Sequence, residues 1–415
     1  MKNIYVVGKP FMEQTVGLLE CGLRPGILID RKYEGVRFKG LNLFENVIYL
    51  DFSSKISLLK DLKGLNIKID GLICLYENYL VPKAWIEQFY GLSGGEAVVV
   101  AGDMTDKLRM RRKLEKYDKN LNPDFQEISN LNELREFAYN HQFPLILKPA
   151  NLVKSLLVSK SCNLKQLEMN YLKTVREIDG IYEKYGFKLR KPRIIVEEFM
   201  KGSQHSVAGF VDQEGEIHLA EDLVDLVSAN DIGIDDQYLY ARIMPSRLPV
   251  DVQDQIRKVA IDGLKALKLR KSPAHIEIML TSSGPKIIEI APRIGGYRIN
   301  MFKLAGGADL QKAEVDIQLG NDLNLQTRAG KFCCVIELFP DFPGIFKKID
   351  NWEKVPGLSS VNYYKVKAKL GQKVGQAKDG YKWLAIITLL NDDLEVLMAD
   401  FEFIKSNIKI ITGLK

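Results

Sequence analysis

Long apolar runs are absent from this sequence of 415 residues. Because a membrane-spanning helix needs about 18 or more consecutive apolar residues, no segment is predicted to cross a membrane. The apolar run near the start, over residues 4–7, is also too short for the central region of a secretion signal. The sequence therefore predicts a cytoplasmic protein without membrane association.

Cysteine is scarce as well, with five residues whose spacing is not typical of a metal site. An odd number that includes the adjacent pair Cys333 and Cys334 does not suit a disulfide framework either. Reduced thiols are therefore expected, which agrees with a cytoplasmic location. The sequence also lacks a credible Ser/His/Asp or Cys/His set for nucleophilic catalysis.

A strong excess of one charge is missing too. The formal net charge is +6, and Lys and Arg are interspersed with Asp and Glu along most of the chain, so nucleic-acid binding gains little support. The densest basic run, residues 107–113, is interpreted mainly as the solvated face of a helix that Thr105 or Asp106 caps. Because G-x-G-x-x-G does not occur, dinucleotide binding is not predicted.

The patterns that are present indicate a mixed α/β and α+β protein. Short apolar strands alternate with helices in the N-terminal part, which predicts a parallel sheet. A Gly-rich stretch over residues 92–105 marks a boundary, and short strands with turns dominate from about residue 327. We therefore predict an α/β domain over residues 1–104, a central domain over 105–326 and a small β-rich domain over 327–415.

Residues 273–296 predict two strands joined by a short turn. If this hairpin closes symmetrically about Ser283, Glu277 lies directly opposite Glu289, and two like charges at that spacing need a cation between them. Mg²⁺ suits the pair because it takes one or two carboxylates together with substrate phosphates. Arg293, on the same face, suits an anion beside the metal. A solvent-exposed hairpin that binds nothing is the alternative that the hairpin alone leaves open.

The order of these segments resembles the ATP-grasp superfamily, specifically its carboxylate–amine ligases of the L-amino acid ligase-like group. The resemblance covers nearly the whole chain and rests on the spacing of four motifs: DKLRMR, LKP, VEEFMKGSQHSV and the hairpin HIEI…IIEIAPRIGG. It implies a Rossmann-like N-terminal domain, a central ATP-grasp domain and a small β-rich C-terminal domain. It also implies ATP and Mg²⁺ as cofactors, with Mn²⁺ as an alternative metal.

The resemblance implies nucleotide-binding roles for residues that match the family's motifs. Lys107 and Lys148 match the two lysines that reach the ATP phosphates. Gln204 stands where the family usually has a Glu that binds the ribose. The segment that borders the adenine, chiefly through backbone groups, comprises Glu197, Glu198, Phe199 and Met200.

Metal-binding and catalytic roles follow from the same resemblance. Glu277 and Glu289 match the Mg²⁺ carboxylates, and Arg293 matches the arginine that steadies the transferred phosphoryl group. His275 stands where relatives place a polar group facing the phosphate, as a general base or as a structural residue. Arg298 is assigned to the substrate carboxylate because it lies beside Arg293.

Three positions depart from the family's pattern. The loop after Lys148, residues 150–155, contains no glycine, so Lys154 and Ser155 would supply hydrogen-bond donors to the phosphates instead of backbone N–H groups. Gln204 replaces Glu, and an amide oxygen still accepts from a ribose hydroxyl. Ala291 replaces a frequent third metal ligand, Asn, which relatives in the amino-acid ligase group also lack.

The implied reaction forms an amide or peptide bond through an acyl phosphate and releases ADP and phosphate. The expected partners are small-molecule carboxylate and amine substrates, with amino acids as candidates, and a second copy in a homodimer. Two alternatives stay open: a non-amine acceptor, as in a carboxylase-like enzyme, or a nucleotide-binding protein without catalysis, which the glycine-free loop favours. Nucleic-acid binding is the more remote alternative.

Overall fold

The computed structural model describes residues 2–93, 96–152, 156–185, 190–234, 238–328, 330–377 and 380–413. The strands in these ranges are β1 (Ile4–Val7), β2 (Gly26–Asp30), β3 (Val47–Leu50), β4 (Gly71–Ile73), β5 (Phe125–Ile128), β6 (Leu145–Pro149), β7 (Ser159–Ser161), β8 (Ile194–Glu198), β9 (Gly202–Val211), β10 (Ile217–Leu219), β11 (Val224–Ser228), β12 (Leu239–Met244), β13 (Ser272–Thr281), β14 (Gly284–Ala291), β15 (Phe332–Leu338), β16 (Gly344–Asp350), β17 (Val361–Val366), β18 (Lys373–Val374), β19 (Ala385–Asn391) and β20 (Lys409–Gly413). The helices are α1 (Met12–Glu20), α2 (Lys55–Lys63), α3 (Leu80–Phe89), α4 (Glu96–Met104), α5 (Lys107–Tyr117), α6 (Leu131–Asn140), α7 (Leu164–Tyr185), α8 (Val250–Leu267), α9 (Arg298–Ala305), α10 (Leu310–Leu319) and α11 (Leu394–Asn407). None of the helices within these ranges is long and apolar enough to span a membrane.

The N-terminal part is built on a four-stranded parallel sheet with the order β3-β2-β1-β4. Its central strands are continuous apolar runs, and β1 is buried along its whole length, because elements packed on both faces cover such a sheet. In a parallel sheet all strands end at one edge. The short 3-10 turn Glu77–Tyr79 follows β4 at this edge and leads into α3. The predicted α/β class is confirmed.

Two antiparallel sheets form the central part. The smaller has the order β5-β8-β6-β7. The larger has nine strands in the order β14-β13-β9-β11-β12-β15-β19-β17, with β10 paired to β9. This large sheet contains strands from both sides of residue 326, where we placed a domain boundary, so the boundary stays a prediction. The remaining strands form a fourth sheet, β18-β16-β20, in the C-terminal part.

The β13–β14 hairpin pairs Glu277 with Glu289, as expected, but it reaches this register by another route. The turn has two residues between Thr281 and Gly284, so the predicted symmetry about Ser283 is wrong. A bulge then shifts the register, because Ile278 pairs with Ile287 while Glu277 pairs with Glu289. One residue more in β14 than in β13 offsets the shorter turn, since a bulge adds one residue to one strand.

Helix α8 packs against the face of the hairpin that is opposite to the two glutamates. A Cβ on Gly263 would lie 2.5 Å from Cδ1 of Ile287 and 2.7 Å from Cδ1 of Ile290, so only glycine allows this close contact. Both isoleucines are fully buried, together with Ile276 and Ile278 of β13. Their burial fixes which face of the hairpin turns toward the core, and the two glutamates therefore share the opposite face.

Two helices lie where the sequence pattern indicated none. Helix α11 falls in the region predicted to hold short strands and turns, and its Leu397, Phe401 and Ile404 are buried at helical spacing. The Asp393 carboxylate caps it by accepting from the backbone N–H groups of Glu395 and Val396. Helix α4 covers most of the Gly-rich stretch 92–105. Glycines in the first segment and strand-forming residues in the second outweighed the helical periodicity of these sequences.

Glu314 of α10 is a buried acid with few charged neighbours. It is 2% exposed, and its Oε2 accepts from Nε2 of Gln311 at 3.2 Å. Burial raises the pKa of Glu314 from 4.5 to about 7, although Lys83 and the hydrogen bonds of Gln311 and Gln14 oppose the shift. The folded state therefore holds a proton that the unfolded chain releases. Its stability contribution is complete below pH 4.5 and is lost as the pH rises through about 7.

We expect Glu314→Gln to stabilise the protein at pH 8 relative to wild type, because glutamine cannot ionise and still accepts from Gln311. The pKa rise from 4.5 to about 7 corresponds to a penalty on the order of 3 kcal/mol above that range. Thermal unfolding at pH 5 and pH 8 measures the effect. The gain in Tm should be larger at pH 8; an equal gain at both pH values would show that Glu314 does not titrate on unfolding.

Candidate active site

The two opposed glutamates of the hairpin each have a defined set of partners. The Glu277 carboxylate contacts Nε2 of His275 at 3.1 Å and accepts from Nε2 of Gln204 at 3.0 Å. Glu289 accepts from the ammonium of Lys107 at 3.1 Å. Burial alone would raise the pKa of Glu277, but the hydrogen bond to His275 and the positive charges nearby lower it to about 2. Glu277 is therefore ionised at any physiological pH.

Helix α5 supplies the cations on one side of these carboxylates. Its first turn is capped by the Asp106 carboxylate, which accepts from the backbone N–H of Arg109 at 3.1 Å. Lys107 follows directly, and its ammonium also donates to the carbonyl of Leu152 at 3.2 Å. One turn later, Arg111 lies on the same face of the helix. The hydrogen-bond cap thus fixes the position of both cations.

Arg111 is fully buried, which corrects its interpretation as part of a solvated helix face. Its Nε donates to Glu197 at 2.9 Å. Its terminal nitrogens donate to the carbonyl of Ile287 at 2.6 Å and to that of Ile288, the extra residue of the bulge, at 2.9 Å. The guanidinium therefore anchors the bulged part of β14 to helix α5 and to β8.

Glu197 completes this buried cluster. Its other oxygen pairs with the ammonium of Lys148 at 2.6 Å. Burial would raise the pKa of Glu197, but Arg111 and Lys148 outweigh that effect and lower it to about 2. Burial also lowers the pKa of Lys148, and Glu197 opposes this. Glu197 thus holds Lys148 at the end of β6, beside the expected phosphate position.

The loop after Lys148 is held by side chains. Lys107 donates its backbone N–H to the carbonyl of Ala150 at 2.6 Å. The amide nitrogen of Asn151 donates to Asp106 at 3.3 Å, and its oxygen accepts from the hydroxyl of Tyr182. These contacts fix residues 150–152 without glycine. Two predicted donors further along the loop, Lys154 and Ser155, lie outside the described residues.

The N-terminal domain contributes Glu77 to the site. Its carboxylate forms an ion pair with Arg293, and its backbone carbonyl accepts from Arg190 at 3.1 Å. Arg190 also donates to the carbonyl of Asn151 at 2.6 Å. Burial would lower the pKa of Arg293, but Glu77 outweighs this and raises it. Glu77 and Arg190 therefore connect the turn after β4 with the loop after Lys148 and with Arg293, which follows β14.

Arg298 has a different environment from the other cations. It begins α9 and is 3% exposed. It donates to the hydroxyl of Ser206 at 3.0 Å and to the carbonyl of Gly296 at 3.2 Å, and within the described residues it has no carboxylate partner. Burial, the largest influence, lowers the pKa of the guanidinium. Arg298 is therefore a buried cation that no acidic side chain of the described residues neutralises directly.

His275 is positioned between Glu277 and this arginine. Gly295 allows the approach, since a Cβ there would lie 2.7 Å from Nδ1 of His275 and 2.8 Å from Cγ of Arg298. Burial lowers the pKa of His275, although Glu277 opposes the shift, so the imidazole is neutral near pH 7. A neutral imidazole donates from one nitrogen only, and Nε2 is the one that faces Glu277. This geometry favours a positioning role over that of a general base.

The predicted adenine-bordering segment has fewer contacts. Glu198 is exposed at its side chain and donates its backbone N–H to the carbonyl of Asp124 at 2.9 Å. The ring of Phe199 lies 4.1 Å from the ammonium of Lys160, and Met200 is half-buried beside it. Gln204 is engaged by Glu277 rather than left open toward a ribose. The nucleotide roles of these residues stay predictions.

The hairpin suits a hard divalent cation. Two carboxylates at paired positions offer the oxygen ligands that Mg²⁺ prefers, and the ammonium of Lys107 supplies positive charge at Glu289 in this structure. Another acidic group lies at the β9–β10 turn, where Asp212 and Glu216 come close to His218. There Asp212 accepts from the backbone N–H groups of Gly215 and Glu216, as a turn-forming residue does.

Sequence reasoning missed Arg111 and Glu77. For Glu77 a usable signal existed, because it follows β4 at the edge where the strands of the parallel sheet end, and ligands bind at that edge in open α/β sheets. For Arg111 the signal was its spacing of four residues from Lys107 on the same helix face. Neither signal identifies the partner that keeps the residue buried.

A family model described as the ATP-grasp domain matches residues 141–301. This segment contains Lys148, both opposed glutamates and both arginines of the hairpin region. Among solved structures, an L-amino acid ligase from Bacillus licheniformis matches 100% of this chain and 99% of its own, with a TM-score of 0.79 and 18% identity. Residues 141–301 therefore match the ATP-grasp domain, and the chain as a whole shares the fold of that ligase.

Curated relatives match shorter segments. An uncharacterised protein from Sinorhizobium fredii is 25% identical over 181 residues, which are 42% of this chain and 35% of that protein. Carnosine synthase 1 from Gallus gallus is 36% identical over 81 residues, which are 19% of this chain and 9% of that protein. The matched segments thus span about a third of the first relative and about a tenth of the second.

We expect Arg111→Met to destabilise the protein strongly, because it leaves Glu197 and the two carbonyls of β14 buried without their donor. Removing one partner of a buried ion pair costs about 3–5 kcal/mol. Chemical denaturation measures the loss. Arg112→Met is the matched control, since the side chain of Arg112 is 58% exposed and its pair with Glu127 is worth at most about 1 kcal/mol. Similar losses in both variants would contradict the anchoring role of Arg111.

We also expect Glu289→Gln to weaken Mn²⁺ binding in the presence of ADP by at least about tenfold, because one charged ligand is lost. Titration calorimetry measures it, and wild type should bind Mn²⁺ weakly without nucleotide. Glu216→Gln, in the acidic group at the β9–β10 turn, should leave the affinity unchanged. Equal Mn²⁺ binding by wild type with and without nucleotide would mean that the hairpin is a metal site of another kind.

Proposed function

We propose that this protein is an ATP-dependent carboxylate–amine ligase that forms an amide or peptide bond and releases ADP and phosphate. The observation that carries the proposal is Arg298, a buried guanidinium without a carboxylate partner in the described part of the chain. A buried charge left unpaired is costly, so a site that retains one is suited to an anionic ligand. A substrate carboxylate is the anion that fits both the guanidinium fork and the chemistry.

The neighbours of Arg298 support the same assignment. The charges of Glu277 and Arg293 act on Arg298, and Gly295 allows His275 and Arg298 to approach each other, so a carboxylate on Arg298 would lie close to the expected phosphates. The similarity of fold to an L-amino acid ligase agrees with this, as does the segment shared with carnosine synthase 1. Amino acids are therefore the first substrates to test.

The proposed reaction has two steps. First, a carboxylate oxygen bonds to the γ-phosphorus of ATP while the bond from that phosphorus to the bridging oxygen breaks, which releases ADP and leaves an acyl phosphate. Next, the amine nitrogen bonds to the acyl carbon, the acyl C–O bond breaks and phosphate leaves. The proton of the amine passes to water. No protein nucleophile is required, in agreement with the sequence.

The side chains position the reactants and offset charge. Lys107 and Lys148 lie where the phosphates are expected, and Arg293 offsets negative charge that develops on the transferred group. Glu277 and Glu289 would hold Mg²⁺, which neutralises phosphate charge when bound. His275 keeps Glu277 oriented. Lys148 and Arg293 are already held by Glu197 and Glu77, so these two cations need little reorganisation during the reaction.

We expect ADP release to require both a carboxylate and an amine, and Arg298→Met to raise KM for the carboxylate on the order of a hundredfold through loss of a charge-assisted pair. KM for ATP should change little. A coupled assay of ADP release with amino acids supplied singly and in pairs measures this. Arg135→Met, a helix-surface arginine whose side chain is 51% exposed, is the control.

Other outcomes distinguish the alternatives. ADP release that depends on bicarbonate or a thiol, with no amine required, would indicate a non-amine acceptor. If wild type binds ADP but releases none with any pair of amino acids, the protein is a nucleotide-binding protein without catalysis. An unchanged carboxylate KM in Arg298→Met would remove Arg298 from substrate binding.

A further inference from the structure

A cavity lies between helices α3 and α4 and the start of β13. Its volume is about 360 Å³, which is within the range of small-molecule sites. None of the residues assigned above to nucleotide, metal or substrate lines it. The wall from α3, α4 and the segment between them is mainly apolar and includes Leu80, Ala84, Leu92, Ala97, Val100 and Ala101.

The facing wall is cationic. It is formed by the segment 268–272, with Lys268, Arg270 and Lys271. Within the described residues none of these three forms an ion pair, whereas Lys83 on the α3 side pairs with Glu87 at 2.5 Å. The lining therefore carries four cationic side chains against one carboxylate. Such an excess of positive charge around a partly enclosed volume favours an anion.

Lys271 is the best placed of these cations. Its backbone is fixed, since its N–H donates to the carbonyl of Asp212 at 2.9 Å and its own carbonyl accepts from Gln318 at 3.1 Å. Its side chain is half-buried, and burial lowers the pKa of its ammonium. On the opposite side, the hydroxyl of Ser93 is buried without a hydrogen-bond partner among the described residues. Both groups would gain from a bound anion.

We propose that this cavity is a second ligand site, which binds a small organic anion that carries an apolar group. The apolar wall would contact the hydrocarbon part, and the cationic segment would contact the carboxylate or phosphate. The cavity also borders the active site indirectly, because Pro292 of its lining precedes Arg293 and α3 begins three residues after Glu77. An occupant would therefore contact both segments that meet in the Glu77–Arg293 ion pair.

Binding of the fluorescent anion 8-anilinonaphthalene-1-sulfonate to the full chain tests the proposal, with ADP and Mg²⁺ at saturation to block the nucleotide site. We expect the probe to bind under these conditions. Hexanoate or hexyl phosphate should displace it, and which of them does so identifies the preferred head group. Hexanol, which has the same apolar chain without charge, should be at least tenfold weaker.

Two matched variants of α4 locate the probe. Ala97→Phe fills the apolar wall and should weaken probe binding at least tenfold. Val99→Phe, at a position that is 51% exposed and outside the lining, should leave it within twofold. Lys271→Met should weaken displacement by the anions at least fivefold, and Lys258→Met, an exposed lysine of α8, should not. Displacement of the probe by ADP and Mg²⁺, or equal binding by the two α4 variants, would overturn the proposal.

Discussion

The buried ion pair between Arg111 and Glu197 is the interaction on which the site depends. It joins helix α5, strand β8 and the bulged part of β14, and each of these carries a predicted site residue. Both charges of the pair are buried away from water, so removing either side chain would leave the other charge uncompensated. One guanidinium therefore sets the distance between Lys107, Lys148 and the hairpin glutamates.

Charge balance explains the rest of the site. Every site cation that matches the family's phosphate-binding residues has a carboxylate from the protein beside it: Lys107 has Glu289, Lys148 has Glu197 and Arg293 has Glu77. These pairs keep the groups in place before any ligand arrives, and a polyanion with its metal would compete for the same charges. Arg298 lacks such a partner in the described residues, which distinguishes it from the other three cations.

The N-terminal domain takes part in this arrangement. Its Glu77 forms the pair with Arg293, and the carbonyl of Glu77 is connected through Arg190 to the loop after Lys148. The cavity at α3 and α4 is lined by the segments next to this ion pair: α3 follows Glu77, and Pro292 precedes Arg293. The contacts of Glu77 therefore connect the N-terminal part directly to the candidate active site.

The sequence by itself determined the elements that depend on local pattern. Alternation and turn residues were enough to predict the hairpin that carries Glu277 and Glu289, and alternating strands and helices were enough for the α/β class, because these signals repeat over neighbouring residues. The tertiary structure alone decided which charges are buried. Arg111 meets Glu197 across 86 positions and Arg293 meets Glu77 across 216, and no local pattern records such a partner. The register of the hairpin also depends on the tertiary structure. The bulge that pairs Glu277 with Glu289 is held by Arg111, which lies far away in the sequence.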